Sequence, residues 1–247
     1  MTSEPYYRDD LARIHHVGFG FHAEACAPGV LDLLVDVRAR DGLVLEVGCG
    51  SGLLTRYLVD AGHRVIATDA SPAMLDLARQ TLDDVPGDVL RIERLTLPDD
   101  PVPEVDAVVG VGHALNYLPD ADALDRALLT LARAVRPGGV LAIDLCDLEW
   151  GRHRRDQCSA GWAGDDWAIV TQFPYEGDDS YVREMTTFTE LPDGTYRRSF
   201  ERHDNVLVDT SVIPERLADL GFEAEVRRSF GVEQLPVGLV AIVARRS

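Results

Sequence analysis

The sequence predicts an α/β protein: a doubly wound, mostly parallel seven-stranded sheet with an N-terminal helical cover and an inserted antiparallel β cap. Three observations carry this expectation. Between residues 43 and 145 short apolar runs alternate with helical patterns, as strand–helix units around a parallel sheet require. After residue 150 the pattern changes to strands joined by a tight turn, and beyond residue 213 a helix and two apolar runs return that could complete the main sheet. By segment this gives a cover (1–40), a core (41–149), a cap (150–210) and a completion of the core sheet (211–247).

In chain order, residues 7–16 and 30–38 carry helical patterns. Pro28 and Gly29 precede the second, where proline suits a first helical turn. The aromatic, glycine-containing stretch 16–22 between them is expected to be irregular. Residues 43–47 form an apolar run ending in glycines, which suits a buried parallel strand. A helix over 53–61 and a strand over 64–68 follow, the strand ending at Asp69. Ser71-Pro72 opens the next helix, with serine as N-cap and proline in the first turn. Strands are expected at 89–92, 105–109 and 140–145. A helix over 121–135 is stopped by Pro137-Gly138-Gly139. In the cap, 167–174, 180–191 and 195–205 read as three strands, with a hairpin turn at 191–195. Helix 214–220, stopped by Gly221, and strands 222–229 and 239–244 end the chain.

The 247 residues are 46% hydrophobic and 27% charged, enough apolar material for a real core. Acidic residues number 42 against 24 basic ones, all arginine, for a net charge of −18. That balance disfavours nucleic acid and anionic membranes as partners, since both recruit basic surfaces. The four cysteines include no CxxC pair, so neither a structural zinc site nor a disulfide scaffold is indicated. The first ten residues lack the basic and apolar regions of a signal peptide, and no apolar run approaches the roughly 18 residues of a membrane span. A cytoplasmic protein is expected.

The most informative segment is 44–52, Val-Leu-Glu-Val-Gly-Cys-Gly-Ser-Gly. Alternate glycines after a strand let the backbone turn tightly and approach a ligand. A dinucleotide fingerprint would read GxGxxG; this loop reads GxGxG and has Glu46 two places before its first glycine. A carboxylate at Asp69, after the second strand, can accept two hydrogen bonds from a ribose diol, a feature shared with dinucleotide enzymes. The glycine loop with Glu46 resembles motif I of the class I S-adenosylmethionine-dependent methyltransferases of small-molecule type, whose sheet is Rossmann-like. The Ser-Pro-x-Met-Leu run at 71–75 is similar to theirs as well.

That resemblance implies S-adenosylmethionine as cofactor, held at Glu46, Gly48, Cys49 and Gly50, at Asp69, Ala70 and Met74, at Glu93, Arg94 and Leu95, and at Val111. Gly52 would help the loop close onto its helix. In the family, motif I holds the amino-acid end and a methionine packs on the adenine; core packing is the alternative for Met74. The family's Gly-Asp-Ala-x-x-Leu-Pro appears here as Ile-Glu-Arg-Leu-Thr-Leu-Pro at 92–98. Glu93 therefore stands for the adenine-binding aspartate, one methylene longer and without its preceding glycine; the alternative is a side chain that is solvated or paired with an arginine. The loop 110–118 is similar to one that passes beneath the sulfonium, making His113 and Asn116 acceptor contacts, with Tyr7 from the cover as a third. Catalytic candidates are His113, His16 and His203. Along 196–203 Arg198, Phe200 and Arg202 share one face and Glu201 and His203 the other. Either face could line a pocket, or both could serve packing and surface ion pairs.

The expected reaction is in-line methyl transfer to an amine, hydroxyl or activated carbon of a small molecule, as in specialised metabolism. No metal is implied: Asp144 is followed by leucine and cysteine, and the only Asp-Asn, Asp204-Asn205, falls in the cap. The competing readings are a protein that binds S-adenosylmethionine without transferring its methyl group, and an NAD-dependent oxidoreductase. The aromatic cover could act as a lid or as a contact in a homodimer.

Overall fold

The computed structural model describes residues 6–247, so the first five residues of the expected cover lie outside the described part. A seven-stranded sheet runs in the order β10-β11-β5-β4-β1-β2-β3. Its parallel strands are β1 (Leu43–Val47), β2 (Arg64–Asp69), β3 (Leu90–Arg94), β4 (Val105–Gly110) and β5 (Val135–Cys146). β10 (Phe222–Arg227) and β11 (Leu239–Arg246) form an antiparallel pair, and β11 lies antiparallel to β5. The strand order reverses between β1 and β4, and the crevice above such a switch point is where open α/β sheets hold ligands.

Strand alternation distributes the core to both faces. Val44, Val65, Ala67 and Val109 pack under α4 (Leu53–Asp60) and α5 (Pro72–Thr81) with Leu54, Leu58 and Leu75. Leu45, Ile66 and Val108 pack on the other side with Leu124, Leu128 and Leu131 of α6 (Ala121–Ala134) and Leu217 of α8 (Ile213–Ala218). The helices start where capping side chains allow. Ser71 Oγ accepts the Met74 N–H at 3.2 Å, and Asp120 Oδ1 the Ala123 N–H at 2.7 Å.

The N-terminal cover differs from expectation. The stretch 16–22 is mostly helical: α1 (Asp9–Gly18) runs through His16, and α2 (Phe21–Leu33) begins three residues after it ends. Gly18 and Gly20 serve close packing, because a Cβ would meet the Trp167 ring at 2.8 Å and the Leu53 side chain at 2.9 Å. Pro28 lies inside α2, and α3 (Val35–Ala39) is a separate short helix. The missing proline N–H is tolerated on an exposed helix face. Gly29 beside it has the backbone of Phe230 and Gly231 within 3 Å of where a Cβ would sit, so tertiary packing overrides the local signal.

The cap holds four antiparallel strands where three were expected, in the order β6 (Ser159–Ala163), β7 (Trp167–Gln172), β8 (Ser180–Glu190), β9 (Tyr196–Val206). β6 is mostly exposed and contains Gly161, so it lacks a period-2 apolar signal. Helix α7 (Leu148–Arg154), also unanticipated, links core to cap. Leu11 and Ile14 of α1 join Ile169 and Met185 of the cap in a small apolar core. The cover is thereby fixed to the cap. No helix among the described residues is long and apolar enough to cross a membrane.

Candidate functional site

The loop after β1 is shaped by three glycines in the left-handed region: Gly48 at φ 69°, Gly50 at 55° and Gly52 at 84°. A Cβ on Gly48 would stand 2.4 Å from that of Ala114, whereas one on Gly50 would meet only Met74 Sδ, at 3.9 Å. Gly48 is thus packed against the loop after β4, and Gly50 presents open backbone. Asp69 fastens this loop from β2: its Oδ2 accepts the Gly50 N–H at 2.9 Å and its Oδ1 the Ser71 N–H at 2.8 Å. The carboxylate, with about four acceptor sites, keeps capacity for a further donor. Met74 is 2% exposed, and Ala70 stands open at the rim. Glu46 is buried beneath the loop and accepts the Thr55 hydroxyl at 2.6 Å. Burial pushes its carboxyl up to about 8, against the hydrogen bond from Thr55.

Across the switch point, β4 delivers Val111, Gly112 and His113. Asp144, on β5, is buried and organises this turn. Its Oδ1 accepts the N–H groups of Gly112 at 2.9 Å and His113 at 2.6 Å, and its Oδ2 lies 2.8 Å from His22 Nε2 on α2. Burial opposes charge on both partners, but their hydrogen bond and mutual attraction prevail: the His22 pKa is raised and that of Asp144 lowered. His113 adopts the left-handed conformation, φ 48°, uncommon for a non-glycine residue. Its half-buried ring stacks on Tyr117 with centroids 5.6 Å apart and leaves Nδ1 unpartnered. Burial, then the charge of Arg183, pushes its pKa down to about 3, so the imidazole is neutral at physiological pH.

The cover bridges loop and cap. His16 Nδ1 lies 2.8 Å from Ser51 Oγ in the glycine loop, and Ser71 Oγ donates to the Tyr7 carbonyl at 2.8 Å. The N–H groups of Tyr7 and Arg8 each donate to the Glu201 carboxylate at 2.9 Å. The Tyr7 hydroxyl meets that of Tyr117 at 2.7 Å. His203 is fully buried, 3.0 Å from Glu201 and against the rings of Tyr6, Tyr7 and Tyr117. The inward face of β9 is therefore the Glu201–His203 face, and Arg202 pairs outside with Glu176, Glu184 and Asp204.

The structure brings Glu46, Gly48, Cys49, Gly50, Asp69, Ala70 and Met74 to one side of the crevice, and Val111 and His113 to the other. Tyr7, His16 and His203 lie against it from cover and cap. Asn116 occupies a different kind of place. It is fully buried; its amide nitrogen donates to the carbonyls of Cys146 and Val206 and its oxygen accepts the Cys146 N–H, so it ties β5 to the end of β9. Glu93 does not join the group either. It pairs with Thr68 in the β2–β3 ladder, on the opposite strand face from Asp69, and lies 3.5 Å from Arg91. With Arg94 and Leu95 it lines a cavity of about 270 Å³ at the β3 edge. Sequence reasoning missed Asp144, Tyr117 and Arg183. The signal for Arg183 was its register, since it sits directly opposite His203 across β8 and β9.

The chain matches a family model described as a methyltransferase domain over residues 44–139. It is 34% identical over 193 residues to an uncharacterized methyltransferase of Mycobacterium tuberculosis, covering 78% of this chain and 68% of that protein. Among solved structures it resembles a sugar N-methyltransferase from Streptoalloteichus, with TM-score 0.76 and 24% identity, covering 100% of this chain and 97% of that one. It also resembles an amino pentose methyltransferase from Micromonospora echinaspora, solved with S-adenosylmethionine bound, with TM-score 0.71 and 22% identity over the full length of both chains.

Proposed function

Because this chain belongs to the class I S-adenosylmethionine-dependent methyltransferases, we propose that it methylates a small-molecule acceptor, at an amine, hydroxyl or activated carbon, in the crevice between the glycine loop, the loop after β4 and the cap. The observation that carries this reading is the convergence of four segments on the switch point: the glycine loop with Asp69, the turn bearing His113, the cover through His16 and Tyr7, and the inner face of β9 through His203.

The residues present fit the cofactor. Gly50 offers backbone without a Cβ barrier, Asp69 retains acceptor capacity for a ribose diol, and Glu46 is a buried carboxyl with no cationic partner among the described residues, which the ammonium of the cofactor's amino-acid end would supply. Glu46, Gly48, Cys49, Gly50, Asp69, Ala70, Met74 and Val111 would hold it. When bound, it supplies a methyl group already made electrophilic by its sulfonium. The chain's work is positioning, exclusion of water and disposal of a proton. His113 Nδ1, unpartnered among the described residues, is placed to accept a hydrogen bond from the N–H or O–H of an acceptor and so orient it; its lowered pKa makes it a weak base, which favours this orienting role. Asp144 positions that histidine through its backbone N–H. Asn116 acts as a strut, and His16 holds the cover to Ser51.

Calorimetric titration with S-adenosylhomocysteine, with NAD alongside, tests the cofactor half. Tight binding of the first alone is expected, and binding of NAD instead would overturn the reading. A screen of small amines and alcohols with methyl-labelled cofactor tests the transfer itself.

A further inference from the structure

The inner face of the cap carries a positive charge that has no counter-ion among the described residues. Arg183 on β8 is half-buried and has no carboxylate partner within ion-pair distance among the described residues. Its recorded hydrogen bonds both use Nη2, to the Tyr117 hydroxyl and, at 3.0 Å, to Asn205 Oδ1; both acceptors are neutral. Its guanidinium carbon lies 5.6 Å from the Tyr117 ring centre and 5.8 Å from that of Tyr181. Nε has no hydrogen-bond partner among the described residues. Two other arginines on the cap strands are paired: Arg197 engages Asp10, and Arg202 engages three carboxylates. Glu201, the acid on the inner face of β9, is occupied by the N–H groups of Tyr7 and Arg8 and by His203.

Around this guanidinium several more buried polar atoms lack partners among the described residues: His203 Nδ1, Asn205 Nδ2, His15 Nδ1 and His113 Nδ1. They come from the cap, the cover and the loop after β4. Tyr117 links them, with His113 stacked on one side, Arg183 bonded to its hydroxyl and His203 edge-on at 5.5 Å. Buried polar atoms are normally satisfied, and a charge out of water needs a partner. An unsatisfied cluster around an unpaired cation, in a chain of net charge −18, has the composition of an anion-binding subsite.

We propose that Arg183, with Asn205 and His203, binds an anionic oxygen group of the acceptor, a carboxylate or a phosphate, and so selects acceptors that carry such a group close to the atom that is methylated. This rests on the methyl-transfer reading above and names the substrate class for it. Tyr117 separates Arg183 from His113 by one ring, so the charged group and the accepting atom are separated by a few bonds. The Tyr6–Tyr7 segment must lift to admit the acceptor, and when it closes the anion replaces the counter-charge that the fold omits.

The test titrates the full-length protein, with and without saturating S-adenosylhomocysteine, with malonate, inorganic phosphate and uncharged malonamide. The wild type is expected to bind malonate or phosphate and not malonamide; which anion is preferred distinguishes a carboxylate acceptor from a phosphorylated one. Arg183→Gln is expected to lose at least tenfold in anion affinity, and Arg183→Lys to keep part of it, while both variants bind S-adenosylhomocysteine as the wild type does. Equal anion affinity in wild type and Arg183→Gln, or no anion binding by the wild type, overturns the proposal. S-adenosylhomocysteine binding is read separately, so its failure marks the cofactor reading and not the subsite.

Discussion

Asp69 carries two duties on one carboxylate. Its oxygens hold the Gly50 and Ser71 N–H groups, which fixes the glycine loop to the start of α5, and their remaining lone pairs are the proposed ribose acceptors. Asp69→Ala is expected to weaken S-adenosylhomocysteine binding by about 1.5–3 kcal/mol, the range for hydrogen bonds to a charged group. Unchanged affinity by calorimetry would remove the ribose assignment. His113 makes a different contribution. Its backbone is held by Asp144 in a conformation that costs energy, as often happens where a side chain must be aimed. His113→Ala is expected to leave cofactor affinity nearly intact while turnover falls about 10²-fold. A variant of wild-type turnover would show that the acceptor is positioned without this side chain.

At the scale of elements, the turn after β4 depends on the His22–Asp144 pair, which joins α2 to β5. The His22 pKa is raised above its ordinary 6.5, so its stabilisation is present in full below that value and is lost as pH rises through the raised pKa. Asp144 lies below its ordinary 3.8, so its share is present above that value and is lost as pH falls. Together they stabilise most between about pH 4 and 6.5. His22→Gln is expected to flatten the decline in melting temperature between pH 6 and 8.5. Glu46 weakens the fold over part of the same range, so the difference between wild type and variant is the quantity to read, and parallel curves would sink the assignment.

These same elements show what could be read from the sequence. The glycine loop, Asp69 and the capped start of α5 were legible because their chemistry is local: a left-handed turn needs glycine, and an N-cap needs a short oxygen side chain. The strands of the parallel sheet were legible because burial on both faces leaves continuous apolar runs. Pro28 misled because the neighbouring Gly29 is packed against the 230–231 backbone, which holds the helix through the proline and which no local rule encodes. Arg183 stayed hidden for a related reason. One face of β9 could be listed from alternation, but only the register that sets Arg183 opposite His203 shows that a cation belongs to that face.

Across the whole molecule, the cover couples the two halves of the crevice. The His16–Ser51 and Ser71–Tyr7 bonds fix it to the cofactor side, and the bonds from Tyr7 and Arg8 to Glu201 fix it to the cap. Glu201→Ala removes two charge-assisted bonds, so hydrogen-exchange protection across residues 9–18 is expected to fall at least about tenfold without loss of protection in the parallel sheet. Unaltered protection would show that the apolar contacts of Leu11 and Ile14 alone hold the cover down.

Tyr7 has one further consequence. Its carbonyl is fastened to the start of α5 and its amide to the cap, so one residue is the latch for two rooms. A shift of Tyr7 away from both partners breaks the two bonds together, so a disturbance at either wall is passed to the other.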